Sequence, residues 1–352
     1  MTEYLDSKRI MGTNADRTGT DAVSGGWVEL GRTTLGSAGD TITVSSLADK
    51  RYYQVLVDAQ VDSDVNQTFR IGNGSADSGS NYSNRYSSNG GSDSTTTSQS
   101  QTVSSAQAAN SLLFSNTYIS NLSGKEKLGM TWGVSSDSSA ASASPDRRES
   151  VWKWVNTSNP LDVIQAYNSS TGSYQTGAEV VVLGYDPDDT HTNNFWEELA
   201  SVDLSGGAAD EVSSGTISAK KYLWVQFFGE ASGSIQEIFR FNNDTGSNYA
   251  RRMSSDGGAD GTDTSVSSCS TGSADSTNHF YNLFIINNSS NEKLIIGHQI
   301  RAGSAGAGNA PNRREYVWKW ANTSSQITEI DVGNNSTGDF GTNSFLKVWG
   351  AD

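Results

Sequence analysis

The chain has 352 residues, a net charge of −15 and one cysteine, Cys269. Its length suits two domains. Its acidity disfavours nucleic acid and anionic membranes, and the lone cysteine excludes an intrachain disulfide and a thiolate zinc site. Only 18% of residues are charged, and Ser, Thr, Asn and Gly take up the polar share, which suits sheet surfaces and turns better than helices.

In chain order, residues 1–26 are polar, carry Tyr4, Leu5, Ile10 and Met11, and contain no apolar leader segment. They read as an amino-terminal arm, and the chain as one made and folded in a cytoplasm. No stretch approaches the 18 apolar residues of a membrane helix. From 27 onward short strand-like runs follow one another. "DTITVSSL" alternates with Ile42 and Val44 on one face. "RYYQVLVDAQV" puts Tyr53, Val55, Val57 and Ala59 on one face, and "KYLWVQFFGEA" does the same with Leu223, Val225 and Phe227. "SSNGGSD" at 87–93 and "SSDGGAD" at 254–260 carry the Asn-Gly and Asp-Gly signals of tight hairpins. No helical periodicity is evident.

Many of these runs occur twice. "RRESVWKW" at 147–154 returns as "RREYVWKW" at 313–320, "GSNYSNRYSSNGGSD" at 79–93 as "GSNYARRMSSDGGAD" at 246–260, and "GKEKLGM" at 124–130 as "SNEKLII" at 290–296. The offset between the copies is nearly constant, so the chain reads as a duplication: arm 1–26, repeat 27–188, linker 189–193, repeat 194–352. The expected fold is all-β, two tandem homologous antiparallel β-sandwiches of jelly-roll type. In a strand, Trp152 and Trp154 share one face and Val151, Lys153 and Val155 the other; Trp318 and Trp320 repeat the pattern. These four indoles are either a core row or a platform on which a sugar could stack. Arg147 and Arg148, with Arg313 and Arg314, stand at the strand starts, where guanidiniums could bridge loops or reach a neighbouring subunit.

The search for chemistry finds little. His191, His279 and His298 sit in no nucleophile-elbow or metalloprotease pattern. "DSDVN" at 62–66 begins like a calcium loop, but Gln67 and Asn73 stand where that loop needs Gly and Glu. "NGSADSGSN" at 73–81 and "NNDTGSN" at 242–248 are acid-amide turns that could hold calcium through carbonyls, though Asx-turn chemistry accounts for them without a metal. The expectation is therefore no catalytic residues and no cofactor.

The phrases "WVELGRTTLGSAGDTITVSSLADKRYY", "FRFNNDTGSNYARR", "NEKL" and "RREYVWKW", with the amino-terminal "YLDSKRIMGTNADR", resemble tandem β-sandwich virion surface proteins of tailed viruses of bacteria or archaea. The resemblance covers both repeats and implies a non-enzymatic structural protein: a capsid decoration, turret or tail-associated subunit. It implies assembly in a host cytoplasm, location in the virion, and partners that are copies of itself and other virion proteins. On this reading Tyr4, Leu5, Ile10 and Met11 dock the arm onto another subunit. The alternatives are a carbohydrate-binding adhesion protein that takes host-surface glycans, and a double-jelly-roll capsid protein.

Overall fold

The computed structural model describes residues 26–352 apart from 188, 192, 193 and 305; short strands at 3–5, 8–11, 23–24 and 190–191 are described as backbone only, and Gln107 likewise. Tyr4, Leu5, Ile10, Met11 and His191 fall outside the residues whose side chains are described. The described chain is all-β and contains no helix. It forms two compact units, Met1–Asp137 with Asp146–Glu197, and Glu198–Asp352 with Ser138–Pro145.

The first unit is a sandwich. Its large sheet has eight strands in the order Ser94–Gln99, Tyr82–Ser88, Asp146–Trp154, Lys127–Ser135, Leu112–Ser120, Tyr52–Gln60, Glu179–Tyr185, Val28–Thr34. Its small sheet runs Ala106–Ala108, Val65–Asn73, Val163–Asn168, Thr41–Val44, with Ser75–Ala76 beside the second strand. The second unit has the same strand order. The large sheet runs Gly261–Val266, Tyr249–Ser255, Asn312–Trp320, Lys293–Arg301, His279–Ile286, Tyr222–Gly229, Phe345–Ala351, Glu197–Asp203. The small one runs Cys269–Ser270, Glu237–Phe241, Ile330–Asn334, Glu211–Ser213.

Strand alternation builds each core. Ile42, Val44, Tyr53, Val55, Val57 and Ala59 are buried in one cluster, and Leu223, Val225 and Phe227 in the other. The hairpins form where the turn residues require. Asn89 and Gly90 both have positive φ (49° and 71°), as do Asp256 and Gly257 (53° and 75°), the backbone that lets a two-residue turn follow the strand twist.

The repeated phrases turn out to be packing devices. Trp154 and Trp320 are 1% exposed, and each indole N–H donates to a carboxylate at 2.7 Å, Asp77 in one unit and Asp244 in the other. The same carboxylates accept the N–H of Gly79 or Gly246 and the side-chain amide of Asn81 or Asn248. Burial opposes ionisation of Asp77 and Asp244, but these donors hold both carboxyls below their ordinary range. The next residue in each phrase, Tyr82 or Tyr249, is fully buried and donates its hydroxyl to the carbonyl of the same aspartate. "EKL" has a similar role. The fully buried Lys127 caps the carbonyls of Leu122, Lys125 and Asn156, and Lys293 caps those of Asn291 and Asn322. Loss of water pulls the Lys293 ammonium down to about 8, against the pull of Glu292.

One difference between the units is steric. Gly129 lies opposite Trp152, and a Cβ there would stand 2.2 Å from the indole. The second unit pairs Ile295 with Trp318 instead. Gly129→Ala should therefore push Trp152 out of its rotamer and cost about 1–3 kcal/mol, read as a lowered denaturant midpoint. An unchanged midpoint would mean that Trp152 is not seated over that glycine.

Candidate interaction groove

All four indoles of the WKW phrases are buried, Trp152 at 4% and the others at 1% or less. None is available to stack a sugar. The arginines of the two phrases are placed differently. Arg148 and Arg314 turn inward and donate to the loop carbonyls of Ser104 and Thr271. Arg147 is buried and paired with Glu149. Arg313 is exposed and pairs with Glu315 at 3.2 Å. The acid-amide turns considered for calcium hold Asp77 and Asp244, whose oxygens already accept the donors described above.

A large concavity on the first unit lies on the outer face of its eight-stranded sheet, the face turned away from the small sheet. It is a groove of about 890 Å³. At one end stand Trp27, Tyr52, Tyr118 and Tyr185. Trp27 sits 5.8 Å from Tyr118 and 5.7 Å from Tyr185, ring centre to ring centre, and Tyr52 stacks on Tyr185 at 6.0 Å and 20°. Leu128, Met130 and Val151 form the middle, and they are 54%, 47% and 53% exposed. At the far end are Arg85, Thr95, Thr97 and Lys153. Lys153 bonds to Glu126 at 2.9 Å, and Arg85 faces Asp93 at 3.5 Å.

Alternation produces this surface directly. In Asp146–Trp154 the even positions Trp152 and Trp154 enter the core, so Val151 and Lys153 must point outward. Three neighbouring apolar side chains about half exposed are more than a scatter of single residues, and such a patch marks an interaction surface. The corresponding Leu294, Ile296, Val317 and Lys319 of the second unit are all buried.

The second unit holds a polar cluster that the first lacks. His279 is fully buried; its Nδ1 meets Glu237 and its Nε2 meets Asp275 at 2.9 Å. Tyr281 donates to Glu237 at 2.8 Å, and Arg301 to Asp275 at 2.7 Å. Burial raises the Glu237 and Asp275 carboxyls, but hydrogen bonds and the charge of His279 outweigh it and hold both low. The counterparts in the first unit are neutral and smaller: Gln67 accepts the Ser115 hydroxyl at 2.8 Å. Among the described residues no group of three or more His, Cys, Asp or Glu is placed to hold a metal ion.

No protein-family model and no curated protein matches the chain. Among solved structures it is similar to domains LG4–5 of the mouse laminin α1 chain (12% identity, 94% of this chain and 92% of that one, TM-score 0.16). It is also similar to an outer membrane channel from Pseudomonas putida F1 (14%, 82% and 97%, TM-score 0.12) and to OpdQ of Pseudomonas aeruginosa (8%, 85% and 97%, TM-score 0.12). At these TM-scores the likenesses carry no argument about function.

Proposed function

We propose that the chain is a non-enzymatic structural protein of a tailed-virus particle, built to assemble with copies of itself and to present β-sandwich surface. One observation carries this reading. The tryptophans, aspartates and tyrosines that the two repeats share are spent on packing, whereas the large open concavity of the first unit is mainly apolar surface. His279, the histidine held between carboxylates, is fully buried and out of a substrate's reach. The surface of a coat or decoration subunit is used for contacts, and that is the use an exposed apolar face serves.

The rings of Trp27, Tyr52, Tyr118 and Tyr185 favour a second reading, an adhesion module whose groove stacks a carbohydrate chain. The experiment is mass spectrometry of purified virus particles. The chain is expected there in a fixed ratio to the major coat protein. Its absence from particles, together with a shift of tryptophan emission on adding soluble oligosaccharide, would select the second reading and end the first.

A further inference from the structure

The second unit contains a contact whose counterpart on the first is not filled by any of the described residues. The segment Ser138–Pro145, "SSAASASP", belongs to the second unit. The Ser138 carbonyl accepts from Lys319 at 2.7 Å, and the Ala140 N–H donates to Glu292. The Ala141 carbonyl accepts from the N–H of Ser265 at 2.8 Å, and the Pro145 carbonyl from Arg252 at 2.8 Å. Ala141 and Pro145 are buried.

Each of the four groups that receive this segment has an equivalent in the first unit, fixed by strand register. Lys319 corresponds to Lys153, because both lie next to the clamped tryptophan. Glu292 corresponds to Glu126, each preceding the carbonyl-capping lysine. Arg252 pairs across the sheet with Val317 as Arg85 does with Val151. Ser265 and Ser98 occupy the same bulge and share a left-handed backbone, φ 51° and 53°. Lys153 and Arg85 form the far end of the groove.

The segment has its own equivalent as well. Residues 304–311, "SAGAGNAP", join Lys293–Arg301 to Asn312–Trp320 as Ser138–Pro145 joins Lys127–Ser135 to Asp146–Trp154. The two have the same length and keep the alanine (Ala141, Ala307) and the proline (Pro145, Pro311) in register. Gly306–Arg313 is exposed throughout.

We infer that the groove of one chain receives the 306–311 loop of a second copy. This rests on the reading of the chain as an assembling structural protein and names its partner surface. The pairing reproduces the second unit's contact: the second copy's Gly306 N–H donates to Glu126, its Ala307 carbonyl accepts from the Ser98 N–H, and its Pro311 carbonyl accepts from Arg85. Leu128, Met130 and Val151 lose their exposure beneath it. Donor loop and acceptor groove are different surfaces of one chain, so the contact is heterologous. It propagates head to tail and closes into a ring or extends as a filament.

The test uses the full chain and two exposed substitutions, Val151→Glu in the groove and Ala307→Arg in the loop. Size exclusion should show wild-type chain growing in mass with concentration, and each variant alone as a monomer with an unchanged melting transition. Mixing the two variants should give a one-to-one dimer and nothing larger, because one partner keeps its loop and the other its groove. Variants that assemble as the wild type does, or a mixture that stays monomeric, would overturn the pairing while leaving the structural-protein reading standing. A wild-type chain that stays monomeric and whose groove takes oligosaccharide would overturn both.

Discussion

Trp320→Ala should destabilise the second unit by about 3–5 kcal/mol, the range for emptying a buried large aromatic site. The indole packs 5.8 Å from Phe241 and 6.4 Å from Tyr249, ring centre to ring centre, and its N–H is one of the donors that keep Asp244 ionised. Truncation therefore opens a cavity and also strips a partner from a partly buried carboxylate. Trp320→Phe separates the two effects. It keeps most of the apolar volume and loses the N–H, so about 1–3 kcal/mol is expected from the under-satisfied acceptor. Urea denaturation followed by tryptophan emission measures both. If Phe costs as much as Ala, the hydrogen bond outweighs the packing; if neither costs more than ~0.5 kcal/mol, the clamp is not a stabilising element.

The second large effect is expected at Glu237. Glu237→Ala leaves His279 and Tyr281 without their shared acceptor in a site with no access to water. Each buried polar group left without its partner costs about 1–3 kcal/mol. The network also fixes a pH dependence. Glu237 and Asp275 have folded pKa values held below their ordinary range, so the folded state binds fewer protons than the unfolded one at moderately acid pH. Their contribution is fully present above the unfolded carboxylate values of about 4. It is lost as pH falls from there through the folded values. Glu237→Gln, which installs the residue found at Gln67 of the first unit, should flatten that acid loss in a series of melts from pH 6 downward. An acid loss as steep in Glu237→Gln as in the wild type would place the titrating groups elsewhere.

Much of the fold was legible because packing residues recur with a period fixed by the duplication. Tyr53, Val55 and Val57 share a face by simple alternation, and Asn89-Gly90 announces its hairpin through a backbone few other pairs adopt. The recurrence of Arg-Arg-Glu and Trp-Lys-Trp has a packing answer. Trp154 and Trp320 each need an aspartate 77 or 76 residues earlier in the chain. "DSGSNY" and "DTGSNY" supply it together with the tyrosine that locks the turn. That link was invisible in sequence, because the two phrases lie far apart and meet only across the fold. The same separation hid the groove. Trp27, Tyr52, Tyr118, Met130, Val151 and Tyr185 come from six scattered segments, and only Met130 and Val151 fall within repeated phrases. The available signal was the face opposite the tryptophans, where alternation sets Val151 beside Lys153. His279 stood out as a histidine without an equivalent in the first repeat, but its partners Glu237 and Asp275 could be assigned only once the strands were paired.

The claim that this chain is an assembling structural protein is tested most directly by native mass spectrometry of the full-length chain over a rising concentration series. The account predicts species at integer multiples of the 37.5 kDa chain, with the larger ones gaining population as concentration rises. A single 37.5 kDa species across the whole series would contradict it.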